Sequence, residues 1–410
     1  MVKSNFRYTA LDAFVDKSGP ICYGILKPGE NYPGGIPVIK VKNIIGGRVL
    51  ESDLLHTSPE IHKQYKRAEI KSGDLLLTIR GTTGRVAFVP KSLDGANITQ
   101  DSARIRVSSN DSPRYVYYAL QSPDIQRQIE LNTVGQAVKG INIGEVKKLT
   151  IYHPELQEQQ KIALVLSTWD QAITTTEELL KNSQRQKKAL QQLLLSGNQR
   201  VHGVQSEWQN IRLEQLFSRV TTKNTEASTN VVTISAQHGL IRQEDFFNKT
   251  VASETLDNYF LLKKGQFAYN KSYSNGYPMG AIKRLNKYDK GVVTTLYICF
   301  EVSDETICNP EFFEHYFESG LLNNGLSKVA NEGGRAHGLL NVKPSDFFGL
   351  TVFVPEVDEQ KAIAAVLTTA DQDIHALQAK LACLKQEKKA LMQQLFIGKR
   401  RVKVDELEVA

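Results

Sequence analysis

Long apolar runs are missing from this 410-residue chain, and none approaches the roughly 20 residues that would cross a bilayer. The opening Met1-Val2-Lys3-Ser4-Asn5-Phe6 has no apolar centre, so neither a membrane span nor a secretory leader is expected. Cysteine is scarce. Cys22, Cys299, Cys308 and Cys383 stand far apart with no CxxC pair, which argues against a disulfide framework and for reduced thiols in a cytoplasmic setting. Phosphate-cradling signatures are missing too: there is no GxxxxGK[ST], and no GxGxxG follows a strand. The eight histidines form neither HxxxH nor HExxH, and His56 and His62 have no third ligand near them.

Two stretches look chemical and are better explained otherwise. Asn309-Pro310-Glu311-Phe312 differs from the Asn-Pro-Pro-aromatic signature of amino-methyltransferases by Glu311. It reads as an asparagine cap with proline in the first helical turn. Pro123-Asp124 with Glu130 lacks the lysine that a nuclease metal site would add two residues later, and reads as plain helix. No cofactor, metal or catalytic residue is therefore expected in this chain.

What the chain does contain is a long repeat. Pro154-Glu155-Leu156-Gln157-Glu158-Gln159, running on to Gly197 and Val201, returns 201 residues later as Pro355-Glu356-Val357-Asp358-Glu359-Gln360, running on to Gly398 and Val402. The register holds without a gap: Ile162/Ile363, Leu166/Leu367, Asp170/Asp371, Ile173/Ile374 and Lys187-Lys188-Ala189-Leu190/Lys388-Lys389-Ala390-Leu391 all match. Proline at the start, acids in the first turn and glycine at the end are helix punctuation, and neither copy is interrupted by Gly or Pro. Seam positions step by four and three through Ile162, Leu166, Trp169, Ile173, Thr176, Leu180, Ser183, Lys187, Leu190 and Leu194, and through Ile363, Leu367, Ala370, Ile374, Leu377, Leu381, Leu384, Lys388, Leu391 and Leu395. That spacing is a coiled-coil seam, which no single helix can bury, so the two copies are expected to pair about an approximate two-fold axis. Thr176, Ser183 and Lys187 interrupt the first seam, either as a register-fixing polar layer or where a helix of another protein joins.

Each repeat follows a module with the same grammar of strands before helix. Leu75-Leu76-Leu77-Thr78-Ile79, Val86–Val89, Ala103–Val107 and Leu149–Tyr152 read as strands of the first module, and Pro113–Leu131 as a helix. In the second, Lys263–Asn270 takes the place of Lys71–Thr78, and Phe312–Leu322 that of the Tyr115 region. The basic excess behind the net charge of +7 lies in residues 1–153, which suits a polyanion; residues 202–354 are near neutral. The loops after matched strands differ. Arg80, Thr82, Thr83 and Arg85 crowd one turn in the first module, with Lys42, Asn43, Lys139 and Asn142 adding polar reach. The second offers Lys271, Tyr273, Ser274, Asn275 and Tyr277, with Gln237, His238, Lys283, Arg284, Arg335 and His337. Singly these are ordinary hydrophilic loop residues. Together, at equivalent positions, they suggest contacts to phosphates and base edges.

This organisation resembles the specificity (S) subunit of type I restriction–modification systems. The resemblance rests on Pro-x-x-x-Glu-Gln-x-x-Ile, present as Pro154…Glu158-Gln159…Ile162 and Pro355…Glu359-Gln360…Ile363, and on Lys388-Lys389-Ala390-Leu391-Met392-Gln393-Gln394-Leu395; the first copy departs with Leu193 in place of Gln394. It implies an α+β fold in which two mixed α/β target-recognition domains, in pseudo-two-fold arrangement, are separated by two long antiparallel coiled-coil helices. The divisions would be 1–153, 154–201, 202–354 and 355–402, with a tail at 403–410. It further implies a non-catalytic subunit that binds double-stranded DNA with a bipartite asymmetric target, one half per domain. The helices would set the spacer and, with Glu158, Gln159, Glu359, Gln360 and the seam positions, dock two modification (M) subunits. S-adenosylmethionine, ATP and Mg would belong to those subunits and to two restriction (R) subunits. The rival expectations are a coiled-coil scaffold with protein-binding modules and a stand-alone DNA-modifying enzyme.

Overall fold

The computed structural model describes residues 7–136, 138–203, 206–235, 238–247, 256–330 and 340–403. The chain divides into two compact units, one of residues 1–178 with 379–410 and the other of residues 179–378. Both divisions fall inside a long helix: the first helix spans Leu156–Leu194 and the second Val357–Phe396. Each unit therefore holds one mixed α/β domain, the beginning of the helix that follows it and the end of the other helix.

In the first unit a four-stranded antiparallel sheet runs in the order Cys22–Tyr23, Ser102–Ile105, Leu75–Thr78, Val86–Phe88. Its central strand, Leu75-Leu76-Leu77-Thr78, is buried along its whole length because the sheet separates two cores. Leu75 and Leu77 face a core shared with Phe14, Tyr115, Ile162, Leu166, Leu395 and Phe396. Leu76 faces a smaller core with Ile39, Ile44, Ala87 and Ile98. Side chains alternate across a strand, so a strand covered on both faces reads as an unbroken apolar run. The first core includes residues of both long helices, which fixes them to the domain.

The second unit repeats the plan. Its sheet runs Phe217–Val220, Ile298–Val302, Phe267–Asn270, Ala281–Arg284. Phe267 and Tyr269 face the helix side, with Phe300, Phe313, Phe347, Leu194, Ile363 and Leu367. Ala268 faces the smaller core, with Val220, Val232, Leu262 and Val293. Aromatic packing fills the larger core, where Phe267 and Phe300 stack at 5.3 Å and Phe217 meets Phe313 edge-on at 5.0 Å. A short ribbon closes each domain onto its helix: Tyr8–Ala10 with Thr150–Tyr152, and Gln209–Arg212 with Thr351–Val354.

The helix expected over Pro113–Leu131 is two helices, Pro113–Gln121 and Pro123–Leu131. Pro123 cannot continue a helix, and Ser122 becomes a new cap whose hydroxyl accepts the Ile125 N–H. Pro310–Glu318 starts as expected, with the Asn309 side chain accepting the Phe312 N–H at 2.8 Å.

The repeated Glu-Gln pair explains how each long helix is held at its start. Gln159 accepts the Ser112 N–H at 2.9 Å and donates to Asp111 at 2.7 Å and the Pro154 carbonyl at 2.9 Å. Gln360 accepts the Asn309 N–H at 2.8 Å and donates to the Ile307 and Pro355 carbonyls at 3.1 and 2.9 Å. The glutamates reach the other way. Glu158 receives Arg401 Nε at 3.2 Å, and Glu359 receives Arg200 Nε at 2.6 Å with the Ser206 amide and hydroxyl. Each arginine lies just past the end of the opposite helix, so in both units the paired helix segments run antiparallel. Further along, Lys388 meets Asp170 at 2.6 Å and Lys385 meets Glu177 at 2.6 Å; Lys187 pairs with Asp371.

Gln360→Leu should strand the Asn309 amide and two carbonyls in a buried place, at about 1–3 kcal/mol for a group left unmatched. A chemical-denaturation midpoint unchanged by Gln360→Leu would remove the clamp role. A second expectation concerns acid. Burial pushes the Glu359 carboxyl up, but bonds from Arg200 and Ser206 outweigh it and hold the group below its usual value. Stabilisation by Glu359 is then complete above the unfolded value of about 4.3 and lost as pH falls through the depressed folded value. Glu359→Gln should flatten that acid limb in melting temperature measured against pH.

Candidate functional site

In the first unit the chain leaves the central strand through the Arg80–Arg85 turn, and backbone bonds fix that turn from three sides. Gly81 donates to the Lys139 carbonyl at 2.9 Å, Gln126 Nε2 donates to the Gly84 carbonyl at 2.9 Å, and Arg85 N–H donates to Thr78 Oγ1 at 2.9 Å. Gly84 has φ +86, and a Cβ there would sit 2.4 Å from Gln126 Oε1, so the close helix backing requires glycine. On this fixed backbone the side chains of Arg80, Thr82, Arg85 and Lys139 are exposed and Thr83 is half-exposed. Arg80 bonds Gln100 Oε1 at 3.1 Å, and Arg85 Nη1 reaches the Ile44 carbonyl at 3.1 Å, which brings the turn bearing exposed Lys42 alongside. The result is a backbone-braced turn carrying several exposed cations and hydroxyls, an arrangement suited to an anionic, hydrogen-bonding polymer.

Two residues expected here are committed elsewhere. Asn43 is buried, and its carboxamide accepts the Lys40 N–H at 3.1 Å and donates to the Ser52 carbonyl at 3.3 Å, holding its own turn. Asn142 caps the helix Ile143–Lys148 by accepting the Glu145 N–H at 3.0 Å. Short polar side chains serve such local bonds, and a sequence does not separate them from exposed readers.

The equivalent turn of the second unit is furnished differently. Tyr273 is 63% exposed and Asn275 is exposed, while Ser274 and Tyr277 pair through their backbones. Lys271 is half-buried, with Nζ 3.4 Å from the Val342 carbonyl, and burial lowers its pKa. Tyr277, Lys283 and Arg284 correct the expectation: Tyr277 and Lys283 both bind Glu318, and Arg284 donates to Glu311 at 2.8 Å and the Gly265 carbonyl at 3.1 Å. They brace the sheet against the helix Pro310–Glu318. His238 is exposed at the rim of a cleft of about 420 Å³ lined also by Lys187, Lys287, His315, Asp371 and His375. Gln237, Arg335 and His337 lie outside the described residues.

The helix residues expected to dock partners are largely interior. Glu158, Gln159, Ile162, Leu166, Glu359, Gln360, Ile363 and Leu367 are at most 3% exposed, and Leu194, Leu395 and Ile374 are buried as well. Apart from Leu395, which lines an open groove, these side chains are out of a partner's reach. Ile173, Leu180, Leu190, Leu381 and Leu391 are half-buried, as expected where only two helices share a seam. Thr176 is buried with its hydroxyl bonded to the Ala172 carbonyl at 2.8 Å, so this break in the seam satisfies itself. Lys187 has a counterpart in Lys388, and each meets an aspartate of the opposite helix. In the first unit an apolar groove of about 710 Å³ opens between the helix segments, floored by Val165, Trp169 and Leu391 and edged by Glu387, Arg400 and Lys403.

Sequence reasoning missed the residues that join domain to helices. Tyr118 donates to Asp170 at 2.7 Å, and Lys388 binds the same carboxylate while lying 5.3 Å from the Tyr118 ring. In the second unit His315 takes the tyrosine's place, 3.8 Å from Asp371 and 3.0 Å from Thr368 Oγ1, and burial lowers its pKa. A signal existed: Asp170/Asp371, Lys187/Lys388 and Arg200/Arg401 are all retained at the repeat offset. Among the described residues no group of three or more His, Cys, Asp or Glu is placed to hold a metal, and no helix is long and apolar enough to cross a membrane.

Residues 25–183 match the family described as the type I restriction modification DNA specificity domain. The chain is 30% identical over 163 residues to the type I restriction enzyme EcoBI specificity subunit of Escherichia coli, a match covering 40% of this chain and 34% of that protein, so it spans about a third of this curated relative's length. The fold is that of the S subunit of a type I restriction-modification system from M. genitalium, with TM-score 0.56, 16% identity and coverage of 97% and 98% of the two chains. The HsdS subunit from Thermoanaerobacter tengcongensis has the same fold, with TM-score 0.54, 16% identity and coverage of 97% and 98%. Residues 25–183 thus match a type I restriction modification DNA specificity domain, and the fold along nearly the whole chain is the one these S subunits share.

Proposed function

We propose that this chain is the DNA-reading subunit of a type I restriction–modification complex, each α/β domain reading one half of a bipartite, asymmetric target. The observation that carries this reading is the pair of differently furnished turns on one scaffold. The strand order is the same in both units, yet the turn after the central strand bears Arg80, Thr82, Thr83 and Arg85 in one and Tyr273, Ser274 and Asn275 in the other. Same scaffold and different readers are what an asymmetric target requires.

Arg80 and Arg85 have the geometry to grip guanine O6/N7 as a fork or to neutralise phosphate, and Lys139 and Lys42 act as point charges on the backbone. In the second unit the Asn275 amide suits adenine and the Tyr273 ring offers a packing face, with Lys271 at the base of the turn. The chain supplies no chemistry. Two modification subunits would carry S-adenosylmethionine for adenine methylation, and two restriction subunits would bring ATP and Mg for cleavage, in the cytoplasm. Their seats include the open groove between the helix segments at Trp169 and Leu391, because the Glu-Gln pairs and the starts of the seam are interior. The helix stretch between the two domains sets the number of unread base pairs.

In the assembled complex, Arg80→Ala should weaken binding about 5- to 150-fold for targets intact in the first half-site, from the ~1–3 kcal/mol of a bidentate base contact. Its effect should vanish when that half is already mutated. An equal loss on every DNA would instead make Arg80 a phosphate contact. Lys139→Ala should lower affinity for all sequences and reduce the slope of log K against log salt by about 0.9. Inserting one helical turn between Asp170 and Leu180 should lengthen the unread spacer with both half-sites kept. Normal assembly with an unchanged spacer would remove the ruler role.

A further inference from the structure

Next to the Arg80–Arg85 turn lies a loop that its polar setting does not explain. It leaves the helix Pro123–Leu131 and closes at Gly140, where Val134 and Gly140 exchange both backbone bonds at 2.9 Å. Gly135 has φ +114, and a Cβ there would sit 2.3 Å from the Val138 carbonyl, so the bend is tight and needs glycine. The loop is joined to the reading turn through Gly81 N–H to the Lys139 carbonyl and Ile141 N–H to the Ile79 carbonyl, both at 2.9 Å. Leu131 at the end of the helix is 74% exposed, and Val134 and Val138 in the loop are 71% and 66% exposed. These exceed every other large apolar exposure among the described residues.

Isolated apolar side chains on a surface are ordinary. Three within eight residues, one at a helix end and two on the loop that is hydrogen-bonded to a cationic turn and carries exposed Lys139, are not. A shared partner must accept both the cations and the aliphatic tips. Duplex DNA does, because thymine places an apolar C5-methyl beside the polar edges of the major groove, within reach of phosphates on both sides.

We propose that Val134 and Val138 are specificity-determining residues that read a thymine methyl in the first half-site. This rests on the DNA-reading function proposed above. Arg80 and Lys139 hold the backbone and base edges, and the valines close over the methyl. They discriminate thymine from cytosine by shape and desolvation instead of by a hydrogen bond. If adenine is the base to be modified, that half-site contains at least one A·T pair and so at least one thymine.

The test uses the assembled complex with target duplexes in which deoxyuridine replaces each thymine of the first half-site in turn. Replacement removes only the methyl. The unaltered protein should lose about fourfold in affinity at one position, the worth of one buried carbon. Val134→Ala and Val138→Ala, being exposed, should leave folding and subunit assembly unchanged while reducing that thymine-to-uracil ratio toward one. Lys139→Ala should keep the ratio while weakening all binding. A ratio unchanged by both valine substitutions, or a wild-type complex indifferent to every uracil, would overturn the methyl contact. Loss of modification-subunit binding by the valine variants, with DNA binding intact, would overturn it in favour of a protein interface. If the unaltered complex bound all DNA equally, the function proposed for the whole chain would fail instead, so the two failures are distinguishable.

Discussion

A buried carboxylate needs a partner, and in this protein the partner comes from the far end of the other repeat. Glu359 has no exposed side-chain surface, and Glu158 has only 4%. Removing such a group from water is costly unless a charge and several hydrogen bonds replace the solvent. Arg200 and Ser206 do this for Glu359, and Arg401 does it for Glu158. The condition can be met only if each long helix ends beside the start of the other, so the antiparallel segments of both units follow from it. The glutamine beside each glutamate binds inward to the domain. One dipeptide thus ties a domain, the beginning of one helix and the end of the other.

The sheet in each unit divides the remaining tasks. Its helix-facing side carries the larger core, with Leu75 and Leu77 or Phe267 and Tyr269, and there the helices are anchored. The opposite side carries the smaller core under the lesser strands. The Arg80–Arg85 turn and its counterpart leave from the end of the central strand, whose position is fixed from both faces. A turn in such a place can change its side chains without disturbing the core. This is how two domains with the same strand order come to present arginines in one case and a tyrosine and an asparagine in the other.

The parts legible in the sequence were those set by long periodicity or repeated punctuation. The helices, the central strands and the correspondence between modules all come from patterns that extend over many residues. The break at Ser122 was missed because a proline after a serine can both end one helix and cap the next. Asn43, Asn142, Lys283 and Arg284 looked like readers because residue type shows hydrogen-bonding capacity and not where that capacity is directed. The Glu-Gln motif looked like a surface for partners. The glutamine meets the same backbone amide and proline carbonyl in both copies, at Ser112 and Pro154 and again at Asn309 and Pro355, while its third partner differs.

The way the chain is shared between the units sets an order of completion during synthesis. The unit holding residues 179–378 is drawn from one continuous segment, so all its parts have been made before translation ends. The other unit begins at residue 1 yet includes residues 379–410. Its core contains Met392, Leu395 and Phe396, and Arg401 is the partner of Glu158. The domain made first is therefore the last to be finished. Until the final helix arrives, Ile162 and Leu166 lack part of their cover, and a chain without residues 379–410 would carry every part of one unit and an unfinished core in the other.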